Sequence, residues 1–309
     1  MQARIKPNLF IVGAPKCGTT SMADYLSQHP DVFMAGREIH YFGSDLYESE
    51  KIRQIRPRPT EEDYLKNFEQ AEGHAVVGEK SVSYLHSTSA PQEIDEFSPA
   101  SRVIIMLRNP VDFMYSMHSQ ALYSQDETEL SFSAALGLEE GRRRGEGVPQ
   151  RAYVRHATFY RDLARFSDQT ERYRAAFPPE QLHIVLLDDL AADPEATWAG
   201  VCAFLGIPAD GVSQFRAVNA NKRLYVPGLA RAEALLRRVL VPRLRLDRFP
   251  ERLKEVAKRA LSGLEELNTH HEPRPPLDST LRSALLTEFE QEIAALEKIL
   301  DRDLTHWRD

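Results

Sequence analysis

Cysteine is scarce in this chain: two in 309 residues, Cys17 and Cys202. Two thiols cannot build a disulfide framework or a cysteine-based zinc site, and they point to a reducing, cytoplasmic setting. Long apolar runs are missing as well; no stretch approaches the roughly 18 residues of a membrane helix. Residues 1–8 are polar, and 9–12 is too short for the apolar segment of a signal peptide, so none is expected. Positive charge is not in excess: 39 Lys and Arg against 46 Asp and Glu leave a net −7. That balance disfavours nucleic acid as a partner, and equally a polyanionic sugar. What is present, 42% hydrophobic and 28% charged residues, is an ordinary globular composition with ample material for a core.

The charge is uneven. Twelve Lys and Arg against four Asp and Glu fall between positions 222 and 259, a local +8. Apolar stripes run through the same block: Ala234, Leu235, Val239 and Leu240 beside Arg231, Arg237 and Arg238, then Leu253, Val256, Ala257, Leu261 and Leu264. Two readings stay open for this block. It packs as a solvated helical face, or it is a lid beside a cleft, able to touch an anionic surface.

Short apolar runs with β-branched residues predict buried strands at 9–12, 75–78, 102–107 and 182–187. Helical patterns lie between them. One covers 21–28, and one covers 110–123 with Asn109 as N-cap and Pro110 behind it. Others cover 153–177 and 193–205, and an apolar stripe at Leu281, Leu285, Phe289, Ile293, Leu296 and Leu300 marks a C-terminal helix capped by Asp278. Alternating strands and helices predict an α/β fold, a central parallel sheet with helices on both faces. Residues 43–73 and 226–276 interrupt the plan as lid-like insertions within a single domain spanning 1–309.

Residues 9–21 read Leu-Phe-Ile-Val-Gly-Ala-Pro-Lys-Cys-Gly-Thr-Thr-Ser. A strand runs into a Gly/Lys/Thr loop and a helix opens at its end, which aims backbone N–H groups and the helix dipole at an anion. Lys16 adds a point charge; Thr19, Thr20 and Ser21 add hydroxyls. The loop departs from the ATP-binding pattern, in which Gly-Lys-Ser/Thr would follow. Here the lysine precedes Gly18, and the strand at 102–107 ends in Arg108 instead of a magnesium-binding aspartate. An arginine there binds a phosphate directly. The chemistry suggested is metal-free handling of a polyanionic nucleotide in a P-loop-like, three-layer fold.

These residues resemble the sulfotransferases that use 3′-phosphoadenosine 5′-phosphosulfate (PAPS). Pro15-Lys16-Cys17-Gly18-Thr19-Thr20 is similar to the family's 5′-phosphosulfate loop. Arg108-Asn109-Pro110, followed by Ser116, is similar to its 3′-phosphate motif. Arg37-Glu38-Ile39-His40-Tyr41-Phe42 and Gly78-Glu79-Lys80-Ser81-Val82-Ser83-Tyr84-Leu85 resemble segments of the glycosaminoglycan-type branch, in which the first glutamate is the general base. The stretch 182–190, Asp193-Pro194, Phe204-Leu205-Gly206 and the tail 296–307 also fit, so the likeness spans Leu9 to Trp307.

The resemblance implies PAPS as cofactor, with 3′,5′-bisphosphate as product and no metal. It implies transfer of the sulfuryl group in line to an acceptor hydroxyl. Lys16 would neutralise the leaving oxygen. Glu38 would take the acceptor's proton, with His40 as the other candidate base, sharing Glu38's face if the stretch is extended. Lys80 would sit near the sulfate, while Glu79, its neighbour, would be a base or a partner of Lys16. Lys16, Cys17, Gly18, Thr19, Thr20, Ser21, Arg108 and Ser116 would hold the cofactor, and Lys222 and Arg223 would close over it. Cys17 reads as a spacer, although an anion loop can depress a thiol's pKa. Tyr41, Phe42 and Tyr84 line an acceptor pocket or belong to the core. The acidic balance points to a small-molecule, lipid or carrier-tethered acceptor. Oligomeric state is not legible. The competing readings are a P-loop nucleotide kinase and a non-catalytic bisphosphate-binding relative.

Overall fold

The computed structural model describes residues 4–47, 50–55, 57–149, 155–212, 215, 222–224, 269–271 and 274–309. Contacts divide the chain into two compact units, Met1–Val218 with Leu277–Asp309, and Asn219–Pro276.

The first unit is built on a five-stranded sheet: β1 (Leu9–Gly13), β2 (Val32–Met34), β3 (Val76–Lys80), β4 (Arg102–Leu107) and β5 (Leu182–Leu186). The order is β2-β3-β1-β4-β5, and every pairing is parallel. Parallel strands need helical crossovers that cover both faces, which is why β1 and β4 are continuously apolar. Leu9 to Val12 and Val103 to Leu107 are fully buried. The sequence predicts four of these strands; β2 is only three residues long, too short for a periodic signal.

The helices follow in chain order: α1 (Thr19–Gln28), α2 (Glu50–Ile55), α3 (Glu61–Leu65), α4 (Ala90–Phe97), α5 (Pro110–Ser124), α6 (Phe132–Gly137), α7 (Glu139–Arg143), α8 (Tyr160–Leu163), α9 (Phe166–Ala176), α10 (Leu187–Ala192), α11 (Pro194–Leu205), α12 (Ser279–Glu288) and α13 (Glu290–Leu300). The caps read from sequence are present. Asn109 accepts from the N–H groups of Val111 and Asp112, and Asp278 from that of Leu281. No helix among the described residues is long and apolar enough to cross a membrane.

Two predicted helices are broken. The pattern at 153–177 is, in its described part, a 3₁₀ turn (Arg155–Thr158) followed by α8 and α9. The breaks occur where distant carboxylates capture backbone amides: Glu139 accepts from the Arg161 N–H at 3.1 Å, and Glu292 from that of Ser167 at 2.7 Å. The C-terminal stripe is likewise two helices, α12 and α13, meeting at the buried Phe289.

In the second unit, β6 (Lys222–Leu224) and β7 (Thr269–His271) pair antiparallel, with Lys222 opposite His271 and Arg223 opposite His270. Most of the predicted insertion at 226–276, including both apolar stripes and their arginines, lies outside the described residues.

Candidate active site

In an open parallel sheet the ligand crevice lies beyond the C-terminal ends of the strands, where the chain order reverses. Here that place is around β1, with β3 on one side and β4 on the other. The chain leaves the sheet there after each strand, and Lys16, Glu38, Lys80 and Arg108 lie at or just beyond the ends of β1, β2, β3 and β4.

The loop after β1 holds two glycines that no other residue could replace cheaply. Gly13 has φ +145, and a Cβ there would meet the Leu85 Cβ and the Val82 carbonyl oxygen, each at 2.7 Å. Gly18 has φ +85 and is the residue from which α1 starts, without a side-chain cap. An uncapped ten-residue helix leaves its first amides for an anion. Thr19 and Ser21 are buried and Thr20 is half-buried. Lys16, at φ 61, donates from Nζ to the Gln120 Oε1 at 3.1 Å. Cys17 is fully buried, and burial pushes its thiol up to about 12, so the depressed pKa conceivable for an anion loop is not found. It is a packed spacer.

Arg108 leaves the end of β4 and reaches back to the same loop, where Nη1 donates to the Lys16 carbonyl at 3.3 Å. Its Nε is buried and finds no hydrogen-bond partner among the described residues. A buried guanidinium donor of this kind calls for an acceptor. A phosphate oxygen would meet that requirement, so the residues present fit a polyanionic cofactor. Ser116 is buried on α5, eight residues further along. Lys222 and Arg223 belong to the second unit, in β6.

β3 sends two adjacent ionisable side chains to different surroundings. It runs on through Glu79 and Lys80, so their side chains leave opposite faces. Lys80 Nζ donates to the Thr20 Oγ1 and pairs with the Glu38 Oε1, both at 3.1 Å. Glu79 does not orient Lys16. It is fully buried among Tyr64, Ser81 and Tyr84, and burial raises its carboxyl to about 7 against their hydrogen bonds.

Glu38 is held at both oxygens. Oε2 lies 3.2 Å from the His40 Nε2, and the His40 Nδ1 lies 2.8 Å from the Ser83 Oγ. A carboxylate only accepts, so the His40 Nε2 is the donor in its contact with Glu38. Burial pushes the Glu38 carboxyl up, but His40 and Lys80 outweigh it and hold it below the usual carboxylate value. His40 reaches Glu38 without an extended stretch, because its own φ is 55. Phe42 and Tyr84 are core residues, 1% and 0% exposed, and do not line a pocket; Tyr41 stacks on Tyr64 with ring centroids 4.3 Å apart.

Sequence reasoning missed Gln120 and the supporting hydroxyls of Ser81, Ser83 and Tyr64. Gln120 had a signal, being four residues past Ser116 and so on one face of α5.

Residues 7–211 match the sulfotransferase family. The chain belongs to that family. Sulfotransferases take their sulfuryl group from PAPS, the cofactor that the loop motifs imply. The crystal structure of a sulfotransferase from Alicyclobacillus acidocaldarius is similar over 99% of this chain and 100% of that chain, with a TM-score of 0.73 and 28% identity. Heparan sulfate glucosamine 3-O-sulfotransferase 5 of Mus musculus is 26% identical over 220 residues, 71% of this chain and 59% of its own length. Bifunctional heparan sulfate N-deacetylase/N-sulfotransferase 1 of Caenorhabditis elegans is 27% identical over 214 residues, 65% of this chain and 22% of its own length. The chain thus spans less than two thirds of the length of either of these curated relatives.

Proposed function

We propose that the protein transfers a sulfuryl group from PAPS to an acceptor hydroxyl, with Glu38 as general base. The observation that carries this reading is the Lys80 ammonium, which touches a phosphate-loop hydroxyl on one side and the Glu38 carboxylate on the other, both at 3.1 Å. An anion-binding loop alone would need no such link; a transfer reaction needs the donor end and the proton acceptor side by side.

When bound, PAPS supplies the sulfuryl group and leaves as the 3′,5′-bisphosphate. Lys16, the first amides of α1 and the hydroxyls of Thr19 and Thr20 would hold its 5′ end, and Arg108 and Ser116 would hold the 3′-phosphate. Lys16 and Lys80 offset the negative charge that grows on the leaving oxygen. Glu38, kept ionised by His40 and Lys80, accepts the hydroxyl proton. His40 lies 3.2 Å from Glu38 and 2.8 Å from Ser83, which supports a role in orienting the base.

Two relatives are named for heparan sulfate, yet a net charge of −7 is a poor match for a polyanionic chain. We therefore favour an acceptor of low charge: a small molecule, a lipid or a carrier-tethered hydroxyl. The test is a radiolabelled PAPS assay against 4-nitrophenol, dodecanol, a 3-hydroxyacyl pantetheine and a heparan sulfate oligosaccharide. Glu38→Gln should bind 3′,5′-bisphosphate as well as wild type and lose most turnover. Loss of bisphosphate affinity would make Glu38 structural; retained turnover with a dead His40→Ala would move the base to His40. Transfer to the oligosaccharide alone would overturn the acceptor class.

A further inference from the structure

The Glu38 base is carried by a loop with no regular hydrogen-bonding pattern of its own. Residues 35–43 form no helix or strand, and His40 within them takes a left-handed conformation that side chains disfavour. Backbone amides in such a segment must find partners elsewhere. Four consecutive amides, those directly after Glu38, find them on two hydroxyls. The N–H groups of Ile39 and His40 donate to the Ser81 Oγ at 3.2 and 3.1 Å. Those of Tyr41 and Phe42 donate to the Tyr84 hydroxyl at 2.8 and 3.2 Å.

Both hydroxyls then spend their protons on one group. Ser81 donates to the Glu79 Oε2 at 2.8 Å and Tyr84 to Oε1 at 3.1 Å; Tyr64, from α3, adds a third bond to Oε1 at 2.9 Å. A hydroxyl that donates to a carboxylate becomes a better acceptor, so the three layers strengthen one another. Glu79 is fully buried and touches no part of the phosphate loop, so the transfer mechanism makes no direct use of it.

We infer that Glu79 is a positioning residue for sulfuryl transfer: through Ser81 and Tyr84 it fixes the backbone of residues 39–42, and so the place of the Glu38 carboxylate against Lys80. This rests on Glu38 being the base. Lys80 reaches Glu38 from the cleft side while its neighbour Glu79 anchors the same loop from the core side. The end of β3 therefore grips the loop twice.

The test compares wild type with Glu79→Gln, Ser81→Ala, Tyr84→Phe, Glu38→Gln and the Glu38→Gln/Glu79→Gln double variant. Amide hydrogen exchange is measured without ligand, bisphosphate affinity by calorimetry, and turnover with radiolabelled PAPS and the most active acceptor of the panel above. In Glu79→Gln, the amides of residues 39–42 should exchange roughly tenfold faster while those of α5 are unchanged. Turnover should fall on the order of tenfold with bisphosphate affinity kept, as for a misplaced catalytic group. The double variant should be no slower than Glu38→Gln alone. Ser81→Ala should release Ile39 and His40 but not Tyr41 and Phe42, and Tyr84→Phe the reverse. That pairwise pattern decides the matter should Glu79→Gln fail to fold.

Unchanged exchange at residues 39–42 in Glu79→Gln, Ser81→Ala and Tyr84→Phe alike would overturn the inference, as would a uniform rise across the protein. So would a double variant that multiplies the two losses. If Glu38→Gln keeps full turnover, the base assignment fails instead, and the exchange pattern alone still judges Glu79.

Discussion

The side-chain amide of Asn109 donates to the backbone carbonyl of Trp307, 2.7 Å away and buried. The other end of the same amide caps α5 by accepting from Val111 and Asp112. Trp307 in turn donates from Nε1 to the Asp188 Oδ2 at 2.5 Å, at the start of α10 just after β5. One 3₁₀ turn, Thr305–Arg308, thereby ties the ends of β4 and β5 together beside Arg108. Asn109→Ala should cost about 1–2 kcal/mol, the usual loss for an N-cap. Asn109→Asp separates the two roles, since aspartate caps as well but has no proton for the Trp307 carbonyl. It should still be destabilised in urea unfolding; wild-type stability in that variant would show that the tail contact contributes nothing.

Lys16→Ala should lower kcat on the order of 100-fold by removing charge stabilisation at the leaving oxygen. Gln120→Ala leaves that ammonium in place and removes a hydrogen-bond acceptor from it, and should cost far less. Steady-state kinetics of the two variants provide the check, and an unaltered kcat for Lys16→Ala would take the lysine out of the mechanism.

Arg108→Ala should weaken bisphosphate binding by about 2–4 kcal/mol, as expected for a lost charge-assisted contact to a phosphate dianion. Adenosine 5′-phosphosulfate, which lacks the 3′-phosphate, serves as control in calorimetry and should bind wild type and variant about equally. Parallel losses for both ligands would show that Arg108 does not read the 3′-phosphate.

Glu79 makes stability depend on pH in a direction opposite to that of a salt-bridged carboxylate. Burial raises its carboxyl from the usual 4.5 to about 7, with Ser81, Tyr64 and Tyr84 opposing the shift and the nearby Glu38 adding to it. Between those values the folded state holds the proton and the unfolded state does not. Its contribution is thus fully present below about pH 4.5 and is lost as pH rises through about 7. Glu79→Gln should flatten this slope. Urea unfolding of both proteins at pH 5 and pH 8 measures it, and identical slopes would contradict the raised value.

Much of the fold was legible because it rests on local signals. Continuous apolar runs marked β1, β3, β4 and β5, and Asn109, Asp193 and Asp278 marked helix starts that the structure keeps. What the sequence hid was set by long-range contacts. Within the pattern at 153–177, Glu139 and Glu292 accept from first-turn amides of α8 and α9, from more than twenty and more than a hundred residues away. The site was legible as residue types in order: the loop, Arg108, Glu38 and Lys80. Which face each would take was not. The assignment of Phe42 and Tyr84 to the core and of Gln120 to Lys16 depends on how α5 and the loop after β2 pack, information that no single segment carries.

The alternation of β3 has one more consequence. Its last two positions place a carboxyl group in the core and an ammonium in the cleft, so the strand's two-residue period couples support and chemistry. Transposing Glu79 and Lys80 would leave composition, net charge and strand propensity untouched. It would nonetheless bury an ammonium among three neutral hydroxyls that cannot offset its charge, and set a second carboxylate beside Glu38. The order of two letters, not their presence, makes this strand end a place where an anionic group can be received.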